Sequence, residues 1–181
     1  MLTQKTSTNK KVQCLIYGDQ CTGKTQLLEG IFNNRYNSNT GLTIGIAHHS
    51  KQIKIRKEEV EFIIWELAGL EIYLNIARIY FESNFIQFMI LIYDITNRES
   101  FENIMNRLFQ IQKNARRIPI IAIVGNKLDR EEYRTVLFQE GQELSKQLGA
   151  QFFEVSAKKN YNIDKLEDFL INDVIEKGTT Y

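Results

Sequence analysis

Cysteine, proline and long apolar runs are all scarce in this chain of 181 residues. Its two cysteines, Cys14 and Cys21, fall in a predicted strand and a Gly-containing loop, which is not the pattern of a disulfide-stapled secreted domain. The longest apolar run, residues 88–93, is too short to span a bilayer, and the polar first residues contain no apolar signal core. These shortages favour a reducing, cytoplasmic setting, in which a lipid or a protein partner would make any membrane contact.

An excess of one charge is also lacking. The chain has 23 basic and 22 acidic residues spread along its length, with a formal net charge of +1 and no polybasic block. This balance lacks the electrostatic footprint of a nucleic-acid-binding protein, so we expect no nucleic acid as a partner. The length and the 43% hydrophobic content are sufficient for one sizeable core, and the sequence therefore predicts a single compact domain.

Apolar and amphipathic segments alternate along the chain. Apolar runs bounded by turn residues predict six strands, at residues 12–17, 53–55, 60–67, 88–93, 118–124 and 151–155. Amphipathic patterns predict five helices, at residues 24–34, 70–83, 99–116, 134–148 and 163–177. Such alternation predicts an α/β fold with a doubly wound, mostly parallel sheet of six strands and helices on both faces.

One strand of this sheet should run antiparallel to its neighbour. The second and third predicted strands flank a short charged turn, Lys57-Glu58-Glu59, which predicts a hairpin. The remaining strands are joined through helices and should be parallel. In a sheet of this kind the ligand binds beyond the carboxyl ends of the strands.

A phosphate-binding loop follows the first predicted strand. Residues 18–25 match GxxxxGK[ST] and lead into an amphipathic helix, so the flanking elements argue against a chance Gly-rich turn. The glycines allow successive N–H groups to point at phosphates, and the helix N-terminus adds its positive dipole. We expect Lys24 to reach the β- and γ-phosphates and the hydroxyl of Thr25 to bind Mg²⁺.

Two later motifs select guanine as the base. Asn126-Lys127-Leu128-Asp129 follows the fifth predicted strand, at the same sheet edge as the phosphate loop. One carboxylate at Asp129 can accept both N1–H and N2–H₂ of guanine, whereas adenine presents an acceptor there. Lys127 can lay its stem over the base, and backbone N–H groups of Ser156-Ala157-Lys158 can bind the guanine carbonyl.

The chain therefore resembles a small GTPase of the Ras superfamily, with the P-loop NTPase fold of that superfamily. The phosphate loop, Thr43-Ile44-Gly45, Glu66-Leu67-Ala68-Gly69 and the two guanine motifs occur in the family's order and spacing over nearly the whole chain. Residues 93–101 and Thr43-Ile44-Gly45 are most similar to the Rab family. Ile46-Ala47-His48-His49 departs from the usual run after that glycine.

The resemblance implies two switch segments, residues 35–46 and 69–78, that respond to the γ-phosphate. It implies that Thr43 binds Mg²⁺ and the γ-phosphate, that Gly69 binds the γ-phosphate, and that Glu66 contacts Mg²⁺ through water. Tyr36 takes the position of an aromatic residue over guanine. The implied catalytic positions are Lys24, Thr43, Gly69 and Leu70. The full set of implied nucleotide ligands is Gln20, Cys21, Thr22, Gly23, Lys24, Thr25, Gln26, Tyr36, Thr43, Gly69, Asn126, Lys127, Asp129, Ser156, Ala157 and Lys158.

Several residues differ from the family pattern at positions that matter for GTP hydrolysis. Leu70 stands where relatives carry the glutamine that orients the attacking water, and leucine has no donor or acceptor for this task. Gln20 and Cys21 fill positions that are glycine in Ras-like members, and Glu66 replaces an aspartate. We expect slow GTP hydrolysis, with a non-hydrolysing interaction scaffold as the alternative; whether Leu70 is natural or engineered stays open. A P-loop nucleotide kinase is disfavoured by the guanine motifs.

Further expectations concern organisation and partners. We expect a flexible segment at residues 1–9, a GTPase domain at residues 10–177, and a C-terminal end at residues 178–181 without a lipidation motif. The resemblance implies effector, exchange-factor and GTPase-activating partners at the switches, a monomeric state, and a cytoplasmic location on endomembranes when a lipidated tail is present.

Overall fold

The computed structural model describes residues 10–37, 41–55, 58–69, 79–80, 82, 85–114 and 117–177. The six strands in this part of the chain are β1 (Lys10–Gly18), β2 (Ile46–Ile55), β3 (Glu58–Leu67), β4 (Phe88–Asp94), β5 (Ile120–Asn126) and β6 (Gln151–Glu154). The helices are α1 (Lys24–Asn33), α2 (Arg98–Asn114), a 3₁₀ helix (Leu128–Tyr133), α3 (Phe138–Leu148) and α4 (Ile163–Lys177).

The strands form one sheet in the order β2-β3-β1-β4-β5-β6. Every neighbouring pair is parallel except β2 and β3, which are antiparallel. The predicted fold, a doubly wound P-loop sheet with one antiparallel strand, is therefore confirmed. Because β1, β3, β4, β5 and β6 all point the same way, their carboxyl ends meet at one edge, where the site residues are found.

Apolar side chains alternate between the two faces of the sheet and build a core on each. Cys14 and Ile16 of β1 pack in one cluster with residues of α1 and α4, such as Leu28 and Leu166. Leu15 of β1 packs in the other cluster, which contains residues of α2 and α3. The strand β4 is buried at every residue, as expected for a central parallel strand covered on both faces.

The starts of two strands, β2 and β5, need comment, while the other strand boundaries differ from the prediction by one or two residues. The second strand was predicted at residues 53–55 but begins at Ile46, because an antiparallel edge strand keeps its backbone pairing with β3 while it carries polar side chains. The fifth strand was predicted at residues 118–124 but begins at Ile120. Pro119 has no N–H to donate, and the first ladder bond runs from Ile120 N to Gln87 O at 2.9 Å. At its other end the strand extends to Asn126, which pairs with Asp94 of β4.

Two helix predictions also need comment. The helix predicted at residues 134–148 begins only at Phe138, because residues 128–133 form a separate 3₁₀ helix and the Arg134 side chain is bound by two carboxylates, Glu131 and Glu154. The helix predicted at residues 70–83 lies largely outside the described residues, although residues 79, 80 and 82 are helical. No helix in the described part of the chain combines the length and apolar character needed to cross a membrane.

Candidate nucleotide and metal site

A cavity of about 310 Å³ opens at the carboxyl edge of the sheet. Its lining consists of Gln20, Cys21, Gly23, Lys24, Thr25, Gln26, Tyr36, Gly41, Leu42, Thr43, Glu66, Gly69, Asn126, Lys127, Asp129, Arg130, Ala157 and Lys158. Of the site residues proposed from the sequence, Thr22 and Ser156 are buried beside the cavity and not among this lining, and Leu70 lies outside the described residues. The fold thus brings together segments more than 100 residues apart in the chain.

The phosphate loop is shaped by two left-handed backbone positions between β1 and α1. Cys21 has φ 61° and Gly23 has φ 92°. A side chain at Gly23 would also collide with Asn126, since a Cβ there would lie 2.4 Å from Nδ2. The Thr22 hydroxyl donates to the Asp19 carbonyl at 2.9 Å, which closes the turn. The loop therefore delivers the chain directly into the N-terminus of α1, where the helix dipole favours an anion.

Lys24 supplies a buried positive charge beneath this loop. Only 6% of the residue is exposed, and Nζ donates to the carbonyl oxygens of Gly18 at 3.1 Å and Asp19 at 2.7 Å. Burial lowers the pKa of Lys24 to about 8, and the nearby Glu66 carboxylate opposes that shift. A phosphate in the cavity would favour the charged form of this amine.

Three oxygen-bearing side chains converge in the part of the cavity near Lys24. Glu66 Oε1 accepts hydrogen bonds from the hydroxyls of Thr25 at 2.5 Å and Thr43 at 2.9 Å, and the two hydroxyls lie 3.1 Å apart. Glu66 is 1% exposed, and its Oε2 has no hydrogen-bond partner among the described residues. His49 Nε2 lies 3.5 Å from that oxygen.

This donor set suits a hard divalent cation. Burial acts to raise the pKa of Glu66, but its contacts with His49, Thr25 and Thr43 outweigh burial and lower that pKa, so the carboxylate is ionised at neutral pH. Mg²⁺ prefers hydroxyl and carboxylate oxygens and leaves positions for phosphate oxygens and water. The residues therefore fit the predicted metal, with Thr25, Thr43 and Glu66 able to hold it.

At the other end of the cavity, Asn126 joins two loops. Its Nδ2 donates to the Thr22 carbonyl at 2.8 Å, and its Oδ1 accepts from the Ala157 N–H at 3.1 Å. From the sequence, backbone N–H groups of residues 156–158 were expected to bind the guanine carbonyl, and this stays a prediction. In this structure the Ala157 N–H is bound to Asn126, whose short side chain connects the phosphate loop to the loop after β6. Asn126 is 2% exposed, and its two hydrogen bonds hold the two loops together.

Asp129 is oriented by a residue that the sequence did not assign to that task. The Ser156 hydroxyl donates to Asp129 Oδ1 at 2.6 Å and accepts from the Lys159 N–H at 3.0 Å. Lys127 is held by an ion pair between its Nζ and Asp94 Oδ2 at 2.6 Å, which leaves the stem of Lys127 on the cavity wall. Both contacts fix side chains that the sequence predicts to face a base.

Gly69 lies against the phosphate loop at a distance that only glycine permits. A Cβ at this position would lie 2.3 Å from Gln20 N. Gly41, Leu42 and Arg130 also line the cavity. Gly41 and Leu42 fall within the first predicted switch segment, residues 35–46, and Arg130 directly follows Asp129, but no contact was predicted for any of the three.

Comparison with known proteins agrees with this geometry. The family model described as "Ras family" matches residues 13–176. The chain is 33% identical over 168 residues to the Ras-related protein Rab-12 of Homo sapiens, a match that covers 92% of this chain and 68% of that protein. It is 36% identical over 168 residues to the Ras-related protein Rab-13 of Mesocricetus auratus, with 91% and 80% covered. The chain belongs to the Ras family of small GTPases and is Rab-like.

Members of this family bind guanine nucleotide with Mg²⁺ and act as switches. For this Rab-like GTPase, the cavity therefore has an assigned class of ligand. The phosphate loop, Lys24 and the oxygen cluster of Thr25, Thr43 and Glu66 are predicted to form its phosphate and metal end. Asp129 and the Ser156 loop are predicted to form its base end.

The depressed pKa of Lys24 should make the stability of the nucleotide-free GTPase depend on pH. Between about pH 8 and the ordinary value of 10.5, the folded protein releases this proton while the unfolded chain retains it. Because the unfolded state then binds more protons, the free energy of unfolding rises with pH in this window. Lys24→Met should abolish a rise on the order of 3 kcal/mol. Urea unfolding at pH 7.5 and pH 10 measures it.

The exposed Lys146→Met variant serves as the control and should retain the pH dependence of the parent. An identical dependence in the parent and Lys24→Met would contradict the assignment.

Proposed function

We propose that this Rab-like GTPase binds GTP and GDP with Mg²⁺ in the described cavity and recruits effectors in its GTP state. The observation that carries the proposal is that two chemically different groups of residues line one cavity. A buried lysine and a helix N-terminus lie at one end, and a carboxylate held by a serine hydroxyl lies at the other. This arrangement suits a ligand with a phosphate chain at one end and a hydrogen-bonding base at the other.

The base end favours guanine. Asp129 uses one lone pair of Oδ1 for the Ser156 hydroxyl and keeps further acceptor capacity for N1–H and N2–H₂ of the base. An adenine there would face the carboxylate with its own acceptor, which a site built for hydrogen bonds rejects strongly. The stem of Lys127, anchored through Asp94, and the ring of Tyr36 offer apolar cover for the base.

At the phosphate end, positive charges offset the negative charge of the phosphates. Lys24 donates to the phosphates in place of its present contacts with the loop carbonyls. Thr25, Thr43 and Glu66 hold Mg²⁺, which when bound neutralises charge on the β- and γ-phosphate oxygens. Thr43 and Gly69 contact the γ-phosphate, and loss of this phosphate would free the two switch segments on which they lie. The surfaces that change in this way are where effectors, exchange factors and GTPase-activating proteins would bind.

Hydrolysis by this GTPase is proposed to be slow. Leu70 offers no hydrogen bond to an attacking water, and Gln20 and Cys21 add bulk where an incoming arginine would approach. The same residues support the second candidate, a GTP-bound scaffold that does not hydrolyse its nucleotide. By likeness to the Rab relatives, we propose a monomer that acts in vesicle trafficking at the cytosolic face of endomembranes.

Base selection can be tested with Asp129→Asn. The asparagine amide offers one donor and one acceptor, so it matches the N1–H and O2 of xanthine and mispairs with the N2–H₂ of guanine. We expect GDP affinity to fall roughly 100-fold or more and XDP affinity to rise. Displacement of a fluorescent nucleotide measures both, with the exposed Asp164→Asn as control. Unchanged GDP affinity in Asp129→Asn would count against the proposed site.

The rate of hydrolysis is tested with Leu70→Gln in a single-turnover assay that follows γ-labelled GTP. A side chain that can orient water should raise the rate by on the order of tenfold or more. Leu70→Met, which has similar length and no hydrogen-bonding group of comparable strength, is the matched control. A parent rate equal to that of ordinary Rab proteins would refute slow hydrolysis. Absence of phosphate release from every variant would instead favour the scaffold.

A further inference from the structure

Asp19 carries a carboxylate on the phosphate loop, outside the residues that line the cavity. Two side chains of α2 bind it. Oδ1 accepts from Arg107 through Nε at 3.0 Å and also through Nη2, and Oδ2 accepts from Asn103 Nδ2 at 2.8 Å. None of the described cavity-lining residues comes from α2, so this helix acts on the site only from behind.

Arg107 is held firmly where it meets Asp19. The residue is 7% exposed, and its Cζ lies 4.3 Å from the centroid of the Tyr17 ring. A guanidinium that stacks on an aromatic face and binds a carboxylate with two N–H groups is fixed in orientation as well as position. A lysine at this position could not satisfy both contacts.

The same guanidinium reaches the start of the second switch. Arg107 Nη2 lies 3.5 Å from the Gly69 carbonyl oxygen. Gly69 itself packs against the backbone of Asp19 and Gln20, since a Cβ on Gly69 would lie 2.5 Å from Asp19 C and 2.3 Å from Gln20 N. One buried cation therefore touches both the phosphate loop and Gly69.

The charge of Asp19 matters because its carboxylate and the phosphates of a nucleotide would repel each other. Both members of the pair act on the cavity, since Arg107 lowers the pKa of Lys24 and Asp19 raises it, although burial is the largest cause of the shift. When the pair is intact, these two influences oppose each other. Without Arg107, Asp19 would present an uncompensated negative charge behind the loop.

We propose that Arg107 is a positioning residue of the nucleotide site, which neutralises Asp19 and holds Gly69 against the phosphate loop. The inference rests on the proposed function, because it assigns the loop and Gly69 to phosphate binding. Loss of Arg107 weakens triphosphate more than diphosphate, since Gly69 belongs to the γ-phosphate end. Neutralising Asp19 as well restores diphosphate binding, because the repulsion disappears with its source, but it restores triphosphate binding only in part, because the contact between Arg107 and Gly69 stays lost.

The test compares Arg107→Met, Asp19→Asn and the double variant. Dissociation rates of fluorescent GDP and of a non-hydrolysable fluorescent GTP analogue are measured with Mg²⁺ present. Arg107→Met should release the GTP analogue about tenfold faster or more, the size expected when a largely buried carboxylate loses its partner, and GDP by a smaller factor. Asp19→Asn should release both nucleotides at or below the parent rates. The double variant should return to within about threefold of the parent rate for GDP and should recover part of the loss for the GTP analogue.

The control is Arg98→Met, on the same helix. The Arg98 side chain is 44% exposed and forms ion pairs with Glu102 and Glu140. Its loss should leave the dissociation rates of GDP and of the GTP analogue unchanged. Where Arg107→Met does not fold, Arg107→Lys keeps the charge without the paired N–H contacts and should show a smaller acceleration that Asp19→Asn reverses.

A purely structural clamp gives a different pattern, because either single variant breaks the same contact. Equal damage from Asp19→Asn and Arg107→Met, or a double variant no better than Arg107→Met, would overturn the inference. A parent chain that binds no guanine nucleotide would overturn the proposed function instead. The proposed role of Arg107 is then tested by how far inorganic triphosphate raises the melting temperature of each variant. The same order of variants supports this role, and equal effects in all variants refute it.

Discussion

The side chain of Asn126 is the contact on which the geometry of the site depends. It ends β5 and binds the Thr22 carbonyl with one atom and the Ala157 N–H with the other. Phosphate binding and base binding are proposed for separate loops, and a nucleotide would engage both only if their separation is fixed. A buried amide with both functions satisfied provides that constraint, because loss of either bond would leave a buried backbone group unpaired.

The geometry of the site also depends on the pairing of its buried charges with opposite charges or hydrogen-bonding groups. Lys24, Glu66 and the Arg107–Asp19 pair are all largely withdrawn from water, and each has an opposite charge or several hydrogen bonds nearby. The cavity thus holds a positive end for phosphates and an oxygen cluster for a cation without an isolated charge. This balance is compatible with a highly charged ligand and its metal, since bound phosphate and Mg²⁺ would replace contacts that already exist.

Sequence reasoning succeeded where the chemistry is local. The phosphate loop and the segment around Asp129 are contiguous motifs between predictable elements, so their residues could be placed at one edge of the sheet before the structure was known. It was less successful with contacts between distant segments. The roles of Ser156 toward Asp129, Asn126 toward Ala157, and Arg107 toward Asp19 depend on side-chain positions across 27, 31 and 88 residues. No periodicity or spacing encodes them.

The boundaries of β2 and α3 were misplaced for a related reason. Backbone pairing with β3 carries the polar residues His48 and His49 into the sheet, and Arg134 engages carboxylates on two other elements before α3 begins. In both places tertiary contacts override the local pattern on which the prediction rested. The residues around Leu70 lie outside the described part of the chain, so its proposed effect on hydrolysis rests on side-chain chemistry alone.

Chromatographic identification of the nucleotide released when purified protein is denatured tests most directly whether the cavity holds a guanine nucleotide that the protein cleaves slowly. We expect close to one guanine nucleotide per chain, with GTP as an appreciable share beside GDP. Release of an adenine nucleotide, or of no nucleotide from folded protein, would contradict it.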